Sequence, residues 1–192
     1  VDMTSLIAKP VMSVLVDYIG VGFEHIIPLG WDHILFVVGL FLFSIKLRSL
    51  IWQVSAFTLA HTITLALGML GYVALPSDII EPLIAATIVY VAVENIVFKQ
   101  MTWWRPLLVF CFGLLHGLGF ASVLTNFGLS SQSFVAGLIG FNIGVELGQL
   151  AVIIICFALF GFWFRYKSWY RSMIVVNGSA AIGLIGAYWF VE

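Results

Sequence analysis

Six apolar stretches joined by short polar connections leave this chain of 192 residues one way to fold, as helices in a bilayer. Hydrocarbon offers no partner to a free peptide N–H or C=O, so a crossing segment must satisfy its backbone internally. The expected fold is therefore all-α, a polytopic transmembrane helix bundle. The stretches run over about residues 31–45, 50–70, 82–98, 106–124, 132–163 and 172–190. The first is short, and the fifth is long, for a hydrocarbon layer of ~30 Å. Hydrophobic residues make up 62% of the chain and charged ones 9%, where soluble domains carry roughly 25% charge. We expect one transmembrane domain over residues 1–192 with no soluble appendage. A net charge of −1 argues against a nucleic-acid partner. Cys111 and Cys156 fall in separate apolar stretches and read as packing residues, not as a disulfide framework or zinc knuckle. The chain opens on Val1, and no basic segment precedes the first helix, so the sequence displays no leader, although one could have been removed.

The connections separate by charge. Lys46, Arg48, Lys99, Arg105, Arg165, Lys167 and Arg171 fall on one side, and Asp78, Glu81 and Glu192 on the other. The positive-inside rule makes the first side cytoplasmic, which puts both termini outside. Residues 8–24 differ from the spans. Ser13, Asp17, Gly20 and Glu24 recur on one helical face, and Val11, Val14, Leu15, Tyr18, Ile19 and Gly22 occupy the other. That pattern predicts an amphipathic helix on the outer membrane surface, with a seventh span as the alternative. Pro28 and Gly30 then break the chain, and Asp32 stands where a helix N-cap belongs.

Ionisable residues inside hydrocarbon cost at least ~2.5 kcal/mol each on insertion scales, so each needs a reason. His25, Asp32 and His33 sit at the mouth of the first span, while His61, Glu94, His116 and Glu146 each interrupt a different one. Imidazole and carboxylate together suit nickel, cobalt, zinc or iron. Thr58 and Thr64 flank His61 at helical spacing, able to bond back to their helix or to orient the imidazole from behind. Glu94 has no evident partner, since Lys99 lies too near the cytoplasmic end. Asn142, Glu146 and Gln149 share one face of the fifth span, and Gly140, Gly144 and Gly148 line the face opposite. By depth, Asp32 and His33 lie outermost, His61, His116 and Glu146 near the middle, and Glu94 deeper, which suggests a file of ligands from outside to inside. Plainer roles stay open at each position: a helix cap for Asp32, an interhelical hydrogen bond for His61, a structural ion pair for Glu94.

His25-x6-Asp32-His33-Ile-Leu-Phe, Phe57-Thr-Leu-Ala-His61-Thr-Ile-Thr-Leu, Val93-Glu94-Asn95, His116-Gly-Leu-Gly-Phe-Ala121 and Gly140-Phe-Asn-Ile-Gly-Val-Glu146-Leu-Gly-Gln149 together resemble the HupE/UreJ family of small bacterial inner-membrane proteins, regarded as nickel or cobalt permeases. Gly-Leu-Gly-Phe-Ala follows His116 where the hydrogenase- and urease-linked members carry further His and Glu, so the chain looks more like a second branch of that family. The resemblance implies that His25, Asp32, His33, His61, His116 and Glu146 handle metal. It also implies a secondary transporter for nickel or cobalt in the bacterial inner membrane, while the imidazole and carboxylate set itself leaves zinc open as the ion held. The implied partners are a metal ion and the lipid bilayer, with a homo-oligomer left open. Two other classes compete: an intramembrane hydrolase holding zinc on the same His/Glu set, with a Glu as base, and a haem protein with His61 and His116 as axial ligands.

Overall fold

The computed structural model describes residues 10–125 and 133–192. The first residues of the expected surface helix and of the fifth span lie outside them. Among the described residues seven helices follow in order: α1 Val11–Ile26, α2 Trp31–Phe43, α3 Leu47–Met69, α4 Ser77–Val97, α5 Arg105–Thr125, α6 Phe134–Phe164 and α7 Tyr170–Val191. A π-helical turn, Phe157–Gly161, interrupts α6, and a second, Tyr170–Val176, opens α7. Four of these helices (α3, α4, α6 and α7) are each long and apolar enough to cross a membrane alone. Their outward faces carry large apolar side chains such as Leu59, Leu147, Ile154, Met173 and Leu184, more than 45% exposed, a belt that water would penalise and acyl chains solvate. The protein is a multi-pass membrane protein.

The expected surface helix and short first span are α1 and α2, a pair bent by 71° that passes as one membrane-crossing length only when taken together. The two faces of α1 are present: Asp17, Gly20 and Glu24 are exposed while Val14, Gly22 and Ile26 are buried. The buried face meets protein. Gly140, Gly144 and Gly148 of α6 lie against Leu15, Ile19 and Ile26 in that order, so the two helices run parallel. A Cβ at Gly22 or Gly144 would overlap backbone of the partner helix, which is why the small residues are there. The same device joins α3 to α5, where Gly113 and Gly117 press on Phe57 and His61. Gly119 faces α4 at Ile84.

These two parallel pairs decide where the polar groups meet. The α1–α6 contact leads α1 down beside α6 to its break at residues 27–30, and the α3–α5 contact holds His61 and His116 at matching heights. Between the pairs lies α2, whose Phe36, Val37, Leu40 and Phe41 join Phe57, Phe141 and Val145 in one buried core.

Candidate metal centre

His25 ends α1, His33 opens α2, His61 sits mid-way along α3, and His116 lies mid-way along α5. The donor nitrogens of His25, His33 and His61 all come within 4.8 Å of one another. Ring centres of His25 and His33 are 4.8 Å apart, those of His33 and His61 5.8 Å, and His116 stands 5.0 Å from His33. His33, His61 and His116 are each at most 2% exposed. The walls are aromatic: Phe120 and Phe141 face His25, and Phe36 and Phe57 face His116.

The hydrogen bonds set which nitrogen is free. His116 Nδ1 lies 2.8 Å from the Phe112 carbonyl oxygen, which accepts only, so Nδ1 holds the proton and Nε2 keeps its lone pair. His33 Nδ1 donates likewise to Asp32 Oδ1 at 3.0 Å. The remaining Nε2 atoms of His25, His33 and His116, and both ring nitrogens of His61, are buried without a partner. Unpaired polar atoms inside an apolar wall are costly and rare, and a metal ion would relieve several of them at once. A carboxylate behind a histidine is the usual way of fixing a ligating ring. Asp32 takes that place here. Gly30 stands at the cap position of α2 and Asp32 within its first turn, so Asp32 is not the helix-cap residue. Asp32 and His25 also line a cavity of about 390 Å³ with Glu24, Leu29, Gly30 and Phe120.

The remaining residues expected at the site lie elsewhere. Glu94 is paired after all: its Oε2 accepts from Arg105 Nη1 at 2.5 Å, and its Oε1 accepts from Thr102 Oγ1 at 3.2 Å. Arg105, counted among the loop cations, is 1% exposed. The sequence signal that would have found it is its place on the first turn of α5, where it adjoins an apolar run instead of a polar loop. Glu146 is half-buried and accepts from Ser55 Oγ at 2.5 Å. Thr58 does not serve His61. It bonds back to the Val54 carbonyl at 3.0 Å and to Gln149 Oε1 at 2.9 Å. Asn142 Nδ2 returns to the Leu138 carbonyl while its amide lies beside the His61 ring, and Gln149 Nε2 is buried without a partner. The expected file of ligands is thus a compact histidine group, with the two glutamates engaged by other residues.

A family model described as HupE / UreJ protein matches residues 2–192. No curated protein and no solved structure matches the chain. The match spans all seven helices and therefore includes each of the four histidines. The chain belongs to the HupE/UreJ family.

Proposed function

We propose that the protein is a secondary transporter for a divalent transition-metal cation, nickel or cobalt before zinc, and that His25, His33 and His61 hold that cation with His116 alongside. The observation that carries this reading is the triangle of imidazole donors within 4.8 Å, unpartnered and walled by aromatic rings. Imidazole suits nickel, copper, iron and zinc alike; the preference for nickel or cobalt comes from the family, which suggests a nickel/cobalt transport role. Neutral rings bind metal only through a free lone pair, and the hydrogen bonds to Asp32 and Phe112 leave Nε2 in that state. Glu146 has a separate role on the route, beside Ser55, rather than as a ligand of the triangle.

The bent pair α1–α2 makes one crossing and α3 to α7 five more, in a bacterial inner membrane with both termini outside and the basic connections in the cytoplasm. In that frame the cavity beside Glu24, His25 and Asp32 opens outward. Inward passage follows the membrane potential, worth ~2.3 kcal/mol per charge per 100 mV. The hydrolase alternative needs a free carboxylate as base beside the metal. Glu94 is engaged by Arg105 and Glu146 by Ser55, so neither of these span glutamates is free to serve as that base.

Protein purified without chelator and titrated with nickel, cobalt and zinc tests the reading, together with uptake into vesicles carrying an inward-negative potential. Binding of one ion per chain, lost in His61→Leu with the fold retained, is the expected result. A wild-type protein that neither binds these ions nor carries them would end the proposal.

A further inference from the structure

The geometry points to Arg105 as the inner gate of this transporter: its guanidinium sits as a tethered cation in an oxygen-lined cage at the cytoplasmic end of the histidine-bearing helices, and the transported ion leaves only when Arg105 moves off Glu94. This rests on the transport reading above. Glu94 Oε2 accepts from Nη1, Gln53 Oε1 accepts from Nε at 3.1 Å, and Asn95 Oδ1 accepts from Nη2 at 3.4 Å. The Phe43 ring lies under the guanidinium carbon at 4.1 Å. Arg105, Glu94, Gln53 and Asn95 are each at most 3% exposed. A carboxylate and two amide oxygens are also a donor set for a metal cation, and here the chain's own cation fills it.

Position decides the role. Arg105 precedes His116 on α5 by about 16 Å, and Gln53 precedes His61 on α3 by about 12 Å, at 1.5 Å per residue. Phe43 ends α2, the helix that His33 all but opens. The cage therefore closes the same three helices that present His33, His61 and His116. Between the two lies an aromatic floor of Phe36, Phe57 and Phe112. Asn95 extends the seal by donating to the Gly39 carbonyl at 2.8 Å and to Ser179 Oγ at 3.1 Å, which ties α4 to α2 and α7. At the opposite end a cavity reaches His25 and Asp32. A divalent ion below the histidines would meet a fixed positive charge and no open donor. Displacing Arg105 removes the charge and exposes the oxygens together. Stability alone gives little reason for such a pair, because well-packed apolar residues usually serve a buried site as well or better.

The test is passive nickel flux across vesicles holding the full chain, with no membrane potential. The paired variant Glu94→Gln with Arg105→Gln removes both charges and strands neither. It should raise the leak by about tenfold or more while nickel affinity at the histidines stays within about threefold. The exchanged pair, Glu94→Arg with Arg105→Glu, should return the leak to the wild-type level. A folded neutral pair as tight as wild type, or an exchanged pair as leaky as the neutral one, overturns the gate. Labelling needs no charge change. A maleimide applied from the cytoplasmic side should reach Gln53→Cys about tenfold faster when nickel is present on the outer side. A rate indifferent to nickel would mean a static structural pair. Failure of the transport reading looks different, since wild-type protein would then neither bind nickel nor carry it under a potential, and both proposals would fall.

Discussion

The two buried polar groups of this protein are opposites. Around Arg105 every charged atom has a partner: Glu94, Gln53, Asn95 and Thr102 form a closed network against an aromatic ring. Around His33 the reverse holds, since His25, His33, His61 and His116 keep at least five ring nitrogens buried and unpaired. Both lie in the same low-dielectric bundle, so the contrast cannot come from solvent. A satisfied network rigidifies its surroundings. Unsatisfied donors raise the energy of the apo state and so reward whatever ion fills them. Burial by itself therefore does not mark a ligand site in this bundle; a cluster of buried ring nitrogens left without partners points to one.

The contrast breaks most readily on stability. Arg105→Met strands the Glu94 carboxylate in the core and should cost about 3–5 kcal/mol, seen as a large fall in melting temperature in detergent. His61→Leu removes two unpaired polar atoms and should change stability by no more than about 1 kcal/mol, or improve it. Similar losses from both would erase the distinction between the regions.

On metal affinity the order reverses. His61→Leu removes a ligand and should weaken nickel binding by about 100-fold or more, and Asp32→Asn, which acts through His33, by about 10–100-fold. Calorimetric titration of each folded variant checks both. An Asp32→Asn protein with wild-type affinity would make the carboxylate a first-turn helix charge and not the partner of a ligating His33.

The smallest effect is expected at Glu146. Held by Ser55 and apart from the triangle, its replacement by Gln should leave nickel affinity within about threefold while uptake into vesicles falls. A large loss of affinity would return Glu146 to the ligand set.

Much of this was legible in the sequence, for identifiable reasons. The high cost of an imidazole in hydrocarbon made all four histidines stand out before any fold was known. The opposed faces of α6 were legible too: its glycines do receive α1, and Glu146 and Gln149 do face α3. Periodicity reports a face faithfully because the helix fixes it locally.

What only the tertiary structure decided is which faces meet. His25 joins His33 and His61 because α1 runs parallel to α6 and the chain breaks at residues 27–30, a contact no local pattern encodes. Glu94 and Arg105 were each visible in the sequence, yet charge counting placed Arg105 in a loop, because that rule reads distance along the chain and not depth in the bundle. Sequence alone priced each polar residue, since the cost of burial belongs to the single side chain and its solvent. Whether that cost is relieved by a neighbour or left for an ion is a property of pairs, and pairs exist only once the helices have packed.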